Sequence, residues 1–324
     1  MSDNNASKRK QKVKQLPEIP KLLPLYAKAA AGSAKKKPKS LDIKVSALRV
    51  DNVKVGRARD EEFRELVNAS KREEAFFGHI HSLIMPLQME LMAADDFPLP
   101  MMGLVHTANT YRQVSPVAVD GEVDIEVSVA KFRAHRAGTE VVLAATVTAS
   151  KSGATLVEEE SVYLAKGVRL KDAEGYEEVE EQRQAIKNGA DAPKRPAFEV
   201  PVPTAQWRLG ATTGRKWAKV SGDWNPIHIA NASAKILGMP GAIAHGMYTA
   251  SRALAEADVA PNQAFEFDIE FGAPVVLPAS VMVAITRATG PDTSSKSPAS
   301  PGMDIVAWNR KKRRPHFTGT VREL

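Results

Sequence analysis

Three polar side chains, two of them able to exchange protons, lie close together in the second half of the chain. Asp223, Asn225 and His228 fall within six residues, and Pro226 lies between the last two. Because proline cannot continue a helix interior and holds the preceding residue in extended geometry, we expect these polar groups on a structured turn. A carboxylate and an imidazole on one turn can accept and return a proton. The spacing therefore predicts a site for proton transfer.

The segment that follows could polarise a carbonyl group. His245 and Gly246 stand just before an apolar helical pattern. The first N–H groups of a helix lack intrahelical partners and carry the positive end of its dipole, and a glycine lets a substrate approach them. We predict that the Gly246 N–H is an oxyanion donor and that His245 is structural. Met247 and Ser251 share a helix face and are candidates for lining the pocket, although core packing explains Ser251 equally well.

Each residue has a simpler explanation when it is considered alone. Asp223 could cap a helix or a turn, which is a common position for aspartate. His228 could be an ordinary buried or surface histidine, and Gly246 could serve only close packing. The catalytic interpretation is favoured because the carboxylate, the amide and the imidazole occur together around one proline.

The two segments resemble the signature of the MaoC-like family of hot-dog hydratases, which includes (R)-specific enoyl-thioester hydratases and 3-hydroxyacyl-thioester dehydratases. Both halves of that signature are present, as Ser221-Gly222-Asp223-Trp224-Asn225-Pro226-Ile227-His228 and as Ile243-Ala244-His245-Gly246-Met247. Residues 97–107 and 271–278 are similar to the two-domain, actinobacterial-type dehydratases of this family. The resemblance extends over about residues 16–324.

The resemblance implies a reaction and a set of roles. The reaction is that of a hydro-lyase of fatty-acid or related lipid metabolism, which interconverts (3R)-3-hydroxyacyl thioesters with trans-2-enoyl thioesters and water. Coenzyme A or acyl carrier protein would carry the acyl group. Asp223 and His228 would hold and activate the water. Gly246 would polarise the thioester carbonyl through its N–H, and Asn225 would orient the loop or the water. No cofactor and no metal are implied.

Strand patterns indicate the elements that would position these groups. Residues 123–129 and 265–271 alternate apolar and polar side chains, as expected of antiparallel strands with one buried face. The sequence from Pro116 aligns without a gap to the sequence from Pro274, and this offset of 158 residues suggests a duplicated unit.

Each unit also contains a helical candidate. Residues 79–95 are apolar on nearly every side and should be buried, with a kink or break at Pro86, and residues 243–258 show apolar residues at helical spacing. We expect an α+β, double hot-dog fold, in which each unit is an antiparallel sheet wrapped around a central helix. The two units would form a pseudo-dimer within one chain.

Charge and composition divide the chain. Residues 1–40 carry 11 Lys and Arg against two acidic residues, a net charge of +9, so residues 41–324 carry −2 of the total of +7. No Asp-x-Asn-Pro-x-His pattern occurs in residues 45–170. We expect a disordered basic tail with a short docking helix (residues 1–40), a non-catalytic hot-dog unit (41–170), a linker (171–203) and a catalytic MaoC-like unit (204–324).

Composition also limits the partners. The chain has no cysteine, and its seven histidines form no metal-binding pair, so we expect no metal. No apolar run approaches the roughly 18 residues of a membrane span, and the N-terminus lacks a signal-like apolar core, so we expect a cytoplasmic protein. The body lacks basic stripes and aromatic RNA-binding motifs, which argues against nucleic acid. Further homodimerisation stays open.

Residues 310–314 form a second basic cluster, in which Arg310, Lys311 and Lys312 are candidates for substrate binding. They could meet the phosphates of coenzyme A or the acidic face of acyl carrier protein. The alternative is a solvated hairpin turn. Another flexible segment, residues 290–302, is expected to be a surface loop.

Two other functions fit parts of the pattern. A hot-dog thioesterase would use a carboxylate and water on the same thioester, but Asn225, Pro226 and His228 after Asp223 argue against it. A non-catalytic acyl-binding subunit would not need an intact Asp and His pair. His106 and Asn109 are expected to be satisfied core polar residues.

Overall fold

The computed structural model describes residues 12–32, 41, 43–192, 197–288 and 302–324. Most of the loop expected at residues 290–302 therefore lies outside the described residues. An N-terminal segment contains β1 (Val13–Gln15) and α1 (Leu22–Gly32). The first unit contains β2 (Ala47–Lys54), α2 (Arg57–Val67), α3 (Phe77–Met92), β3 (Leu104–Gln113), β4 (Glu122–His135), β5 (Gly138–Ala149) and β6 (Thr155–Lys166). It is followed by α4 (Tyr176–Lys187).

The second unit has the same order of elements with one addition. It contains β7 (Ala205–Leu209), α5 (Thr213–Ser221), α6 (Pro226–Ile229), α7 (Asn231–Ile236), α8 (Gly246–Ala257), β8 (Phe265–Phe271), β9 (Ala279–Arg287), β10 (Gly302–Asn309) and β11 (Arg314–Glu323). The two short helices α6 and α7 have no counterpart in the first unit. They lie in the segment that carries the predicted site.

One sheet contains all eleven strands of the described chain, in the order β1-β2-β4-β5-β6-β3-β8-β11-β10-β9-β7. Pairing is antiparallel within each unit, and β1 is parallel to β2. Helix α3 packs on β2 and β4, and α8 packs on β8. One buried helix against an antiparallel sheet, occurring twice, confirms the expected α+β double hot-dog.

The register at the junction of the units reveals their symmetry. Strand β3 pairs with β8, and Thr110 lies opposite Asp268. These two positions differ by 158, the offset read from the sequence, so each residue faces its own counterpart. The Thr110 hydroxyl donates to Asp268 Oδ1 over 2.5 Å. The pseudo-twofold axis therefore passes between these two residues, as a duplicated unit requires.

Helix α3 continues through Pro86 without ending there. The expectation of a break is wrong, since the helix runs for 16 residues from Phe77 to Met92. A proline inside a helix costs about 3 kcal/mol. Thirteen of the 16 residues are buried, and their packing outweighs that loss.

None of the helices in the described ranges is long and apolar enough to cross a membrane.

The N-terminal segment is more ordered than its charge suggests. Residues 13–15 form β1 at the edge of the sheet, so the expectation of disorder is wrong over this stretch. The apolar residues of α1 dock as a helix, with Leu22, Leu25 and Tyr26 buried. Residues 1–11 and 33–40 lie outside the described part. Between the units, α4 has no buried residue and spans 12 residues, about three turns.

Candidate active site

The turn after α5 fixes Asp223. Helix α5 ends at Ser221, and Gly222 adopts the left-handed conformation at φ 77° that reverses the chain. The Asp223 N–H donates to Ser221 Oγ over 3.2 Å, and Asp223 Oδ1 accepts the Asn225 N–H over 3.2 Å. An aspartate that accepts from the backbone two residues later forms an Asx turn, which holds its own carboxylate in place.

Asn225 and Pro226 start the short helix that carries His228. Asn225 is the N-cap, and its Oδ1 accepts the Ile227 N–H over 3.3 Å, while Pro226 occupies the first turn. His228 Nδ1 lies 2.9 Å from the Ile243 carbonyl. Because a carbonyl only accepts, Nδ1 carries the proton and Nε2 keeps its lone pair. Burial lowers the pKa of His228 below its ordinary value, in spite of nearby Asp223. The ring is therefore a neutral base.

His245 ties the start of α8 to the Asp223 turn. Its Nε2–H donates to the Asp223 carbonyl over 3.0 Å. Its ring stacks on that of His228, with centroids 3.6 Å apart and planes at 25°. Burial, followed by the proximity of His228, lowers the pKa of His245 to about 3. These contacts fit the structural role expected for His245.

Asp223 is ionised in this setting. Burial alone raises the pKa of the carboxyl group, but the His245 and His228 rings and the donors on Tyr26 and Asn225 hold the pKa below its usual value. The Tyr26 hydroxyl donates to Asp223 Oδ1 over 2.6 Å. The site thus pairs a carboxylate with a neutral imidazole, and both can accept a proton.

Gly246 begins α8 beside these two bases. No residue in the described part of the chain accepts a hydrogen bond from its N–H. A Cβ at this position would lie 2.9 Å from the Phe271 ring, which is closer than real contacts allow. A side chain at residue 246 would therefore have to displace the Phe271 ring, which also lines the cavity.

The same cluster offers three metal-ligand atoms within 4.8 Å, from Asp223, His228 and His245. Zn²⁺ prefers such donors when they converge in a tetrahedron. Here the two imidazoles are stacked nearly in parallel, and each donates one ring N–H to a backbone carbonyl. This parallel arrangement does not suit tetrahedral ligation, so these residues fit a metal ion poorly.

A cavity of about 460 Å³ adjoins the cluster and extends into the first unit. Asp223, His228, Gly246 and Met247 line one end. His106 and Tyr163 of the first unit also line the cavity, and their rings stack with centroids 4.6 Å apart. Seven of the ten methionines of the chain line the cavity, namely Met85, Met89, Met92, Met101, Met102, Met239 and Met247. The cavity is therefore polar at the cluster and adaptable and apolar further away.

Other predicted binding residues lie elsewhere. Ser251 is fully buried, and a Cβ on Gly78 would lie 2.6 Å from its Oγ, so it lies where α3 and α8 touch and not in the cavity wall. The expectation that Ser251 lines the pocket is corrected on that ground. Arg310, Lys311 and Lys312 lie in the β10–β11 turn and do not line the cavity. Asn309 Oδ1 caps that turn by accepting the N–H groups of Lys311 and Lys312.

Three features of the site escaped sequence reasoning. Tyr26 contacts Asp223 from α1, about 200 positions away in the chain. Lys166 is the one Lys or Arg among the described residues that line the cavity. His106 also lines the cavity, whereas Asn109 is buried and donates to Ser161 Oγ over 2.9 Å. The i, i+4, i+7 spacing of Met85, Met89 and Met92 was the one signal in the sequence that could have identified a wall of the cavity.

Comparison with known proteins defines the class first. Residues 188–297 match the family model described as MaoC like domain. The matched region includes the whole Asp223–Gly246 cluster and lies largely in the second unit, so this part of the chain is similar to MaoC-like domains.

Individual relatives extend the likeness to both units. The chain is 28% identical over 297 residues to 3-hydroxyacyl-thioester dehydratase X of Mycobacterium tuberculosis, covering 92% of this chain and 96% of that protein. The crystal structure of HtdX from M. tuberculosis has a TM-score of 0.67 at 27% identity, over 86% of this chain and 100% of the other. A MaoC-like dehydratase from Phytophthora capsici shares the fold, with a TM-score of 0.62 at 14% identity, over 86% of this chain and 95% of the other.

Proposed function

We propose that this protein is a hydro-lyase that interconverts (3R)-3-hydroxyacyl thioesters with trans-2-enoyl thioesters and water. One observation carries the proposal: an ionised carboxylate, a neutral imidazole and an open helix N–H meet at one end of a largely apolar cavity. The mycobacterial relative is named a 3-hydroxyacyl-thioester dehydratase, which supports the same reaction class here.

Asp223 and His228 form the proposed catalytic pair. In hydration, both accept hydrogen bonds from one water, whose oxygen attacks C3 of the enoyl group. One base takes a proton from that water and delivers it to C2, while the other proton stays on the new hydroxyl group. Dehydration reverses these steps: a base removes the C2 proton and returns it to the departing 3-hydroxyl, which leaves as water. Acid–base catalysis of this kind contributes about 10²- to 10⁴-fold.

The Gly246 N–H is the proposed oxyanion donor. Addition at C3 places negative charge on the thioester oxygen, as an enolate, before C2 is protonated. A donor preorganised at a helix N-terminus stabilises that charge, and such donors contribute about 2.7–4 kcal/mol. Asn225 does not touch the cavity water in this scheme. It caps α6 and so holds the turn between Asp223 and His228 in place.

The first unit supplies the acyl end of the proposed site. Its methionines form the apolar arm of the cavity, and methionine adapts readily to ligands of differing shape. We propose that residues 41–170 bind the acyl chain without catalysing and that residues 204–324 catalyse, with residues 171–203 linking them. The pseudo-dimer within the chain would then be the functional unit.

Basic residues near the cavity are proposed to meet the carrier. Lys166 lines the cavity, and the turn with Arg310, Lys311 and Lys312 directly precedes Pro315 and His316. Those two residues pair with Ala273 and Gly272 at the cavity wall. Coenzyme A phosphates and the acidic face of an acyl carrier protein would both be attracted to such a rim.

The proposal is tested by following the loss of enoyl absorbance with trans-2-enoyl-CoA substrates of short, medium and long chain. Coupling the product to an (R)-specific and separately to an (S)-specific dehydrogenase tests the stereochemistry. We expect turnover to the (R) product. If no CoA ester reacts, the acyl carrier protein esters are tried, and inactivity on both carriers contradicts the proposed function. Release of free thiol without hydration would indicate a thioesterase instead.

A further inference from the structure

Tyr26 reaches the proposed catalytic carboxylate from outside both hot-dog units. It lies on α1 in the N-terminal segment, and its hydroxyl donates to Asp223 Oδ1 over 2.6 Å. Its side chain is buried and lines the same cavity as the catalytic pair. A short phenol–carboxylate contact is a charge-assisted hydrogen bond, which is about twice as strong as a neutral one.

Helix α1 is anchored on both units, and this fixes the hydroxyl. Leu22, Leu25 and Tyr26 belong to one buried apolar cluster with Met85, Met89 and Met92 of α3. On the other side, Leu22 Cδ1 lies 3.8 Å from the position that a Cβ on Gly222 would occupy, and Gly222 directly precedes Asp223. The docked helix therefore carries a polar group to a defined point on the carboxylate rather than merely covering apolar surface.

The two oxygens of Asp223 have different surroundings. Oδ1 accepts from both Tyr26 Oη and the Asn225 N–H, whereas the contact of Oδ2 with the described chain is to His245 Nε2 at 3.5 Å. Since that N–H is already donated to the Asp223 carbonyl, Oδ2 keeps its capacity to accept. We propose that Tyr26 is a positioning residue of the dehydratase site, which holds Oδ1 so that Oδ2 faces the reacting water. This inference rests on the proposed function.

The charges around the carboxylate agree with this arrangement. Five elements other than its own turn face Asp223, through Tyr26 of α1, His228 of α6, His245 before α8, His106 of β3 and Tyr163 of β6. Burial and the Asp223 charge raise the pKa of Tyr26 well above its ordinary value, so the phenol keeps its proton. Burial lowers the pKa values of His106 and His245 to about 3, which leaves both neutral near pH 7. Tyr26 is thus a donor that keeps its proton beside the Asp223 carboxylate.

The test is Tyr26→Phe in the full chain, which removes one oxygen atom and keeps the packed ring. Tyr176→Phe on α4, outside the cavity, is the matched control. We expect Tyr26→Phe to lower kcat by about 10- to 100-fold, because a charge-assisted hydrogen bond is lost, with little change in KM. The acid limb of the kcat profile should move to higher pH, since the carboxylate loses a donor. Tyr176→Phe should match the wild type in all three quantities.

A second measurement does not depend on turnover. The carboxyl carbon of Asp223 can be titrated by ¹³C NMR in both proteins, with its signal assigned by its absence in Asp223→Asn. We expect protonation at higher pH in Tyr26→Phe. Equal titrations and equal pH profiles in the two proteins would overturn the proposal, as would a lower melting temperature with an unmoved acid limb. A wild type inactive on every thioester would refute the proposed function, and the titration would still decide whether Tyr26 holds the carboxylate.

Discussion

The two units differ most at the start of their central helices. In the first unit, seven residues separate Asn68, which caps α2, from Phe76, which precedes α3. In the second, 22 residues separate Gly222, which caps α5, from His245, which precedes α8. The 15 additional residues include α6, and the longer segment carries both Asp223 and His228. The proposed site of the second unit thus lies on a connection that is 15 residues shorter in the first unit.

The space that this connection occupies is filled differently in the first unit. Asp60 Oδ1 accepts the Phe76 N–H over 2.6 Å and lies 3.1 Å from His79 Nδ1, and its Oδ2 is 2.7 Å from Arg64 Nε. Eight residues before the cap of α5, the counterpart of Asp60 is Gly214. A side chain there would collide with the carbonyl of His228. A buried ion pair in the first unit therefore stands at the position where the second unit brings in the segment that carries His228.

The cavities of the two units show the same contrast. A second cavity of about 360 Å³ includes Phe76, Phe77 and Gln113, the counterparts of His245, Gly246 and Phe271. At its wall, Arg72 bonds Glu74 and reaches across to Asp258 and the Val259 carbonyl of the second unit. Arg72 thus connects the two units at the position that corresponds to the proposed site.

Replacing either member of the proposed catalytic pair should reduce turnover more than any other substitution proposed for the two units. Asp223→Asn and His228→Gln preserve size, so the fold should stay intact while turnover falls by about 10²- to 10⁴-fold. Steady-state kinetics with an enoyl thioester measures the loss, and circular dichroism checks the fold. Asp191→Asn, at an exposed position, serves as the control. Near wild-type activity in either variant would mean that the two units do not differ in the way we propose.

Gly246→Ala tests the helix N-terminus, where the counterpart in the first unit is Phe77. The new methyl would meet the Phe271 ring and displace the N–H, so we expect kcat to fall by about 10²- to 10³-fold. Adding Phe271→Leu relieves the collision and should restore part of the activity. Phe77→Leu, at the matching position, should leave kcat nearly unchanged. Equal losses from Gly246→Ala and Phe77→Leu would show packing, not the donor, to be responsible.

Much of this contrast could be predicted from the sequence. The alternation of residues 265–271 and the offset of 158 depend on local pattern and on an ungapped repeat, so they gave the strands and the pseudosymmetry. Asp223, Asn225 and His228 were found because one continuous segment holds them. Their simpler individual explanations lost weight only because all three lie on one turn.

Contacts between distant segments could not be read in the same way. Nothing local to Tyr26 distinguishes it from the apolar residues around it, since its partner is almost 200 positions away. The prediction for Ser251 was wrong because helical spacing shows which residues share a face but not what that face packs against. Here the face packs against Gly78 of α3. Helix α3 likewise continues through Pro86 because burial on nearly all sides outweighs the tendency of proline to end a helix.

Asp60→Asn should affect stability and not chemistry, because its carboxylate serves the first unit. Breaking the buried pair with Arg64 should lower the free energy of unfolding by about 3 kcal/mol at pH 7. Burial raises the pKa of Asp60, but hydrogen bonds from His79, the Phe76 N–H and Arg64 together lower the pKa by more than burial raises it. The net shift is therefore downward. This contribution is therefore full above the unfolded-state pKa of about 3.9 and is lost as the pH falls through the lower folded-state value.

Urea unfolding at several pH values measures that effect. The difference between wild type and Asp60→Asn should narrow as the pH falls below about 4, and kcat of the folded variant should equal that of the wild type. Asp191→Asn again serves as the exposed control. A fall in kcat without a loss of stability would place Asp60 in the chemistry and weaken the division of labour between the units.

Chelation should have the smallest effect, and it tests the cluster of Asp223, His228 and His245. The rings of His228 and His245 are stacked nearly in parallel, an arrangement that suits tetrahedral ligation poorly, so we expect dialysis against EDTA to leave kcat unchanged. Adding back Zn²⁺ should not activate the enzyme and should inhibit it if the ion captures His228 Nε2, the proposed base. Loss of activity on chelation with recovery on Zn²⁺ would instead make the additional segment a metal site. The difference between the units would then lie in metal binding rather than in a metal-free acid–base pair.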